Sequence, residues 1–379
     1  MPAPTQYRDF AANVVLPLCR DRFFDAAHGG FYERLDLARD PLPVGHKRLL
    51  VQCRQLYVLS HAAVLGDASG HAAAEAGYAF LRRHYHDRRQ GGWFFKVSPE
   101  GKPLDTSKDL YGHAFVLFAL AWLHRAFGAP DAIMLARDTM DVLQRRLAAP
   151  SGGFWEQASE DWQPETGYRR QNPHMHLLEA TLALFEATGE ASWLEAAAAL
   201  VALFRERFYD AATATLGEHF ARDWSPDPHR GNAVEPGHHF EWVWLLHAWR
   251  RLSGRAEADE PAEQLFQTAL RHGFDPATGG IPDEIARDGS VLQGTRRIWP
   301  VTEAIKAHAA RVEAGHAEDA AGADRLIGHL FRDFLRPAES RWIERLARDG
   351  APLQTDLPGS TPYHLFQAAA EAARVLAGR

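Results

Sequence analysis

The sequence predicts an all-α protein, an (α/α)6 barrel of twelve helices with short β-hairpins on one rim, and three observations carry that expectation. A glycine pair, or one glycine beside a bulky residue, returns about every sixty residues: GGFY at Gly29, GGWFF at Gly91, GGFW at Gly152, LGEHF at Leu216, GGIPDE at Gly279 and, without glycine, RWIERL at Arg341. Six copies of one unit in 379 residues mean a closed or stacked array of supersecondary units. Amphipathic helices precede the glycines and longer, more apolar helices follow them. The links between helices alternate long and short.

The first unit opens on YRDFAANVVLPLCRDRFF from Tyr7, where apolar residues recur at three- and four-residue spacing. After GGFY comes its second helix, RLLVQCRQLYVLSHAAVL from Arg48. The second unit carries the turn SPEGK at Ser98, which is hairpin chemistry, and then DLYGHAFVLFALAWLHRAF from Asp109. GGFW leads to NPHMHLLEATLALFEAT from Asn172, and the fourth unit runs from WLEAAAALVALFRERF at Trp193 to PGHHFEWVWLLHAWRRL at Pro236. The fifth and sixth have the turns ARDGS at Ala286 and ARDGA at Ala347, before WPVTEAIKAHAARVEA from Trp299 and TPYHLFQAAAEAARVLA from Thr361. The returns GDASG, FGAPD, TGEAS, SGRAEADE and EAGHAED are short and bear glycine or small polar residues. Hairpins therefore gather on one rim, at the N-termini of the inner helices, and a pocket is expected there. Residues 1–379 read as one barrel domain; an open solenoid is the other arrangement the repeat allows.

The balance of 42 basic and 49 acidic residues, net charge −7, points away from nucleic acid and anionic membranes. Cys19 and Cys53 are the only cysteines, too few for a disulfide framework or a thiolate metal site, as in a reducing compartment. MPAPTQYRDF has no signal-peptide pattern, and the longest apolar run, AFVLFALAWL from Ala114, is about half the roughly 20 residues a membrane span needs. A cytoplasmic monomer or homodimer acting on a small molecule is expected.

Prolines at 173, 236, 300 and 362 stand near the start of four inner helices, a position where the missing N–H costs nothing. Asn172 and Thr361 occupy expected cap positions before two of them. His238 and His364 then fall in a first turn, with His176 and Glu303 at its end, Glu241 on the face of His238, and Arg54 on an axis-facing stripe. A helix N-terminus disfavours imidazolium and keeps a histidine neutral. Two such histidines could move a proton between carbons, each worth about 10²–10⁴-fold, provided Arg54 stabilises the charge that develops on oxygen. Most of the 20 histidines are surface or core residues in this reading, and His174 and His239 are support. Arg54 as an ion-pair partner, and Glu241 and Glu303 as acids favoured by the helix dipole, are the plainer alternatives. His174 and His176 point about 200° apart on a helix and cannot share a metal as an i, i+4 pair could. No HExxH, CxxC or nucleotide motif occurs, so neither a metal nor a cofactor is expected.

At these residues the chain resembles the N-acylglucosamine 2-epimerase superfamily, and within it the mannose isomerase and sulfoquinovose isomerase branch. The matching stretches are RLLVQCRQLYVLSHA, QNPHMHLLEA, PGHHFEWVWLL, IWPVTEAIKA and TPYHLFQAAAE, spread over essentially the whole chain. The resemblance implies a metal-free sugar isomerase or epimerase. It implies Arg54 as a ligand of substrate oxygen, Asn172 with His176 as the sugar-binding and ring-opening group, and His238 and His364 as the acid/base pair. Glu241 would orient His238 or the substrate, Glu303 would hold hydroxyls, and Tyr111 and Trp299 would wall the site. The expected reaction interconverts D-mannose and D-fructose, with D-lyxose and D-xylulose as further substrates, through a cis-enediolate. Return of the proton to the other face of C2 would instead give mannose/glucose 2-epimerisation. LPGSTPYH lacks the tryptophans with which the related cellobiose 2-epimerases stack a second sugar, which favours a monosaccharide. An (α/α)6 glycoside hydrolase, with Glu241 and Glu303 as paired carboxylates, leaves His238 and His364 without a role.

Overall fold

The computed structural model describes residues 3–377 apart from 130, 166, 276 and 277; Met1 and Pro2 of the N-terminal stretch and Pro130 of the second return lie outside the described residues. Among these residues twelve helices follow in chain order: α1 (3–23), α2 (Leu49–Val64), α3 (His71–His84), α4 (Leu110–Phe127), α5 (Ala132–Arg146), α6 (Asn172–Thr188), α7 (191–208), α8 (Pro236–Ser253), α9 (Asp259–His272), α10 (Trp299–Glu313), α11 (319–334) and α12 (Thr361–Leu376). Even-numbered helices form the inner ring and odd-numbered ones the outer. Their compositions account for the difference. Outer α9 buries one stripe, Ala262, Leu265, Phe266 and Ala269, the i, i+3, i+4, i+7 pattern of a one-faced helix. Inner α4 is buried on nearly every side from Leu110 to Leu123. Three outer helices end in a π-turn, at Cys19–Phe23, Phe204–Phe208 and Leu330–Phe334, each setting its final phenylalanine into the core. Recurrence at one place in the repeat marks these turns as part of the unit's construction.

The short strands do more than form hairpins within each unit. The strand entering each inner helix pairs antiparallel with the next unit's hairpin: Lys47–Arg48 with Lys96–Val97, Lys108–Asp109 with Gln157–Ala158, Tyr168–Arg170 with His219–Ala221. The pattern continues with Ala233–Val234 against Glu284–Ala286, and Arg296–Arg297 against Arg345–Leu346. Leu357–Pro358 then pairs with Arg34–Leu35 of the first unit, and the ring is closed. This excludes the open solenoid and gives an (α/α)6 barrel.

Four of the glycine turns are held by the first turn of their own unit's inner helix. Gln52 accepts from the Phe31 amide at 2.7 Å and donates to its carbonyl. His113, His174 and His239 accept through Nε2 from the amides of Trp93, Phe154 and Leu216, at 3.0, 2.9 and 3.2 Å. Their Nδ1 atoms lie against the carbonyls of Asp109, Arg170 and Glu235, four residues back, which fixes one neutral tautomer. Glycine is required where the turn meets its anchor. Gly92 has φ +71°, and a Cβ there would lie 2.7 Å from His113 Nε2. In the last unit Ser340 takes the left-handed backbone in its place, at φ 49°.

Candidate active site

The first two turns of the inner helices bring Arg54, Tyr111, Asn172, His176, His238, Glu241, Trp299, Glu303 and His364 to the hairpin end of the barrel axis. The two cap expectations are corrected: Asn172 and Thr361 begin the helices themselves and make no cap bond. Asn172 Nδ2 instead lies 3.0 Å from His238 Nε2, and Thr361 donates to Glu344.

His238 is held on its other nitrogen. Its Nδ1 lies 2.9 Å from Glu218 Oε2, and Glu218 is fixed in turn by Gln171 Nε2 at 2.9 Å, while Trp242 Nε1 donates to Gln171 Oε1. Burial works against an imidazolium here, but Glu218 and Glu235 outweigh it and push His238 up to about 9. The helix terminus alone predicted a neutral ring; two carboxylates reverse that. The Nε2–H of this cation finds an acceptor if the Asn172 amide turns over, since its Oδ1 is otherwise buried without a partner.

His364 has the opposite character. Its Nδ1 lies 2.8 Å from Glu303 Oε1 and its Nε2 3.4 Å from Arg54 Nη1. Burial, with Arg54 and Lys306 nearby, holds it well below the ordinary histidine value. Glu303 is also paired with Lys306 at 2.5 Å. The indole of Trp299 lies between the two histidines, 5.0 Å from His238 and 5.8 Å from His364 by ring centres.

Arg54 stacks on Phe115 and Tyr363, at 4.4 and 4.6 Å, and donates to Tyr111 Oη at 2.9 Å and to the Ser360 carbonyl at 3.3 Å. Among the described residues no carboxylate lies within ion-pair distance of it, and its Nε is buried and unpartnered. It is not a structural ion-pair arginine. Tyr111, accepting from Arg54, keeps its own O–H to give.

His176 Nδ1 lies 2.9 Å from Glu179, and burial lowers it to about 4. Glu179 also accepts from Tyr363 and Gln367; burial opposes its charge, but His176, Lys306 and Tyr363 hold it at about 2. Glu241 Oε1 is buried without a hydrogen bond, 3.9 Å from His176. Burial and the charge of Glu303 push its carboxyl well above the usual range.

Of the expected carboxylate roles, Glu241 makes no hydrogen bond to His238, which leaves its other expected role, toward the substrate, and Glu303, expected to hold hydroxyls, bonds His364 Nδ1. Glu218, Gln171, Glu179, Lys306 and Tyr363 were missed by sequence reasoning. Glu218 carried a signal, because LGEHF is the glycine copy with an acid directly after its glycine. Two sets of ligand-type atoms lie within 4.8 Å of one another here, His176 with Glu179 and Glu241, and Glu218 with Glu235 and His238. Their bonds to Tyr363, Gln367, Gln171 and Arg297 already engage a carboxylate in each.

Comparison with known proteins places this arrangement. Residues 30–368 match the family model for N-acylglucosamine 2-epimerase. A protein of Rhizobium meliloti (strain 1021) named mannose-6-phosphate isomerase is 36% identical over 367 residues, 93% of this chain and 92% of that protein. D-mannose isomerase of Pseudomonas cannabina pv. alisalensis is 32% identical over 83% of this chain and 80% of its own. Cellobiose 2-epimerase from Spirochaeta thermophila DSM 6192 superposes with a TM-score of 0.87 at 28% identity, covering 98% of this chain and 96% of that one.

Proposed function

We propose, from the premise that this chain belongs to the N-acylglucosamine 2-epimerase family, that it is a sugar isomerase interconverting D-mannose and D-fructose, with D-lyxose and D-xylulose as further substrates. One observation carries the reading: two histidines flank one indole, each held at Nδ1 by its own carboxylate, with Glu218 and Glu235 pushing His238 toward the imidazolium and burial holding His364 away from it. An acid and a base at the same pH are what ring opening followed by enolisation demands. In ring opening His238, with Asn172 beside it, gives a proton to the ring oxygen as the C1–O5 bond breaks, while neutral His176, held at Nδ1 by Glu179, takes the proton of the C1 hydroxyl and the C1=O1 carbonyl forms. His364 Nε2 takes the C2 proton, the C–H electrons form the C1=C2 bond, and negative charge falls on O1 between Arg54 and Tyr111. The imidazolium of His364 then returns the proton to C1, while the O2 proton passes to O1 across the cis-enediol and C2 becomes the carbonyl. Trp299 offers a flat face to the sugar.

A neutral monosaccharide fits the charges. Beside the unpaired Arg54, Lys306 is committed to Glu303 and Arg297 to Glu235 and Asp283, which leaves no spare cation cluster for a phosphate. The relatives named cellobiose 2-epimerase support a second reading, in which His238 returns the proton to the opposite face of C2 and glucose forms. Incubation with D-mannose in D2O plus a chelator, followed by NMR, decides between them. Fructose is expected, with deuterium at C1 to the extent that the proton held on His364 exchanges with solvent before its return; glucose deuterated at C2 supports epimerisation, and no turnover of any monosaccharide overturns both.

A further inference from the structure

At the short-loop end of the barrel the C-terminal halves of all six inner helices enclose a cavity of about 230 Å³. That volume is room for several waters, and so for a small ligand rather than a chain. Its mouth is a belt of alternating charge. Arg125 meets Glu186 at 3.7 Å, Glu186 meets Arg251 at 3.1 Å, Arg251 meets Glu313 at 3.9 Å, Glu313 meets Arg374 at 2.5 Å, and Arg374 meets Glu371 at 2.9 Å. In the belt three arginines and three glutamates cancel, and the one further carboxylate of the lining, Glu179, already accepts from Tyr363 and Gln367. An ion of either sign would meet as much repulsion as attraction, whereas hydroxyl groups can donate to one member of each pair and accept from the other.

Behind the belt the wall is aromatic. His61 and Trp122 lie 4.0 Å apart by ring centres and 33° from parallel, and Trp244 faces the same space. Trp122 is 91% buried and its Nε1–H has no partner, although a buried indole N–H ordinarily finds one. The Trp122 ring is already flanked by His61 and by the Arg125 guanidinium at 4.3 Å, so the elements of a carbohydrate site here are the aromatic wall for C–H groups and the paired charges for hydroxyls. The floor is Glu179 and Gln367, the residues that bind His176 and Lys306 from the other side.

We propose that this cavity is a second, non-catalytic site for a neutral monosaccharide or cyclic polyol. Equilibrium dialysis of the full-length protein with radiolabelled 1,5-anhydro-D-mannitol, a ring that cannot open, tests it against Ala248→Trp. Ala248 lines the cavity and takes no part in the catalytic end. The variant is expected to lose one equivalent of bound probe per chain while kcat/KM for D-mannose changes less than twofold. Ala310→Met, a milder filling of the same space, serves if the tryptophan variant fails to fold. Equal stoichiometry in wild type and a folded variant overturns the proposal, as does displacement of that equivalent by inorganic phosphate. Stoichiometry is read without turnover, so its outcome is separate from that of the isomerase reading.

Discussion

The charge on His238 is the residue-scale property with the sharpest consequence. Proton donation requires the imidazolium, so kcat/KM should fall as pH rises through about 9, while His364, held far below its ordinary value, stays a free base across the neutral range. Glu218→Gln removes the nearest carboxylate and should move the basic limb of the pH–rate profile to lower pH; an unchanged limb would assign it to another group. The same shift has a stability sign. His238 contributes stability that is fully present below its unfolded value near 6.5 and is lost as pH rises through about 9. None of this was visible in the chain as text. The proline register placed His238 and His364 correctly, but protonation depends on which carboxylate packs against which ring, and Glu218 arrives from a hairpin twenty residues away.

At the scale of the element, the histidines that anchor glycine turns make a separable prediction. His113→Ala leaves the buried Trp93 amide without an acceptor, a loss of about 1–3 kcal/mol, with further loss from the vacated space. A lower midpoint in urea with little change in kcat is expected, because His113 touches the turn and not the catalytic end. Comparable losses in both would place His113 in the chemistry. Helix identity and order were legible from apolar spacing and punctuation, since each inner helix is bounded by proline, glycine or a turn. Strand partners were not. Glycine and turn residues suggest a hairpin, but pairing between neighbouring units depends on ring geometry that no local pattern encodes. Asn172 and Thr361 illustrate the limit of cap rules, because tertiary partners drew both side chains away from their own helices.

For the whole molecule, the closed ring of strand pairs predicts tolerance of circular permutation. Helices α1 and α12 pack together, so joining the termini with a flexible linker and opening the chain at Gly189–Glu190, a short return on the opposite rim, should keep helical circular dichroism and fructose formation. Loss of both would show that chain order, rather than ring closure, maintains the barrel. Buried neutral histidines set a second global property. Burial lowers His61, His113 and His174 to about 3 and His176 and His239 to about 4. Below pH 6.5 the unfolded chain binds protons that the folded one refuses, so stability falls with acidity by up to about 1.4 kcal/mol per pH unit for each histidine. Urea midpoints measured from pH 7 to 5 should drop steeply, and a flat profile would contradict the buried tautomers.

The adjacency of His238 and His239 carries a consequence for how such proteins change. One imidazole braces a turn and its immediate neighbour, in the proposed mechanism, works on the substrate, so a single step along the helix separates masonry from reagent. Four inner helices present these two stations, Gln52, His113, His174 and His239 toward the turn and Arg54, Tyr111, His176 and His238 toward the axis. New activities could therefore arise by exchanging the side chain at an axial station while the brace beside it keeps the wall standing, with no revision of the fold.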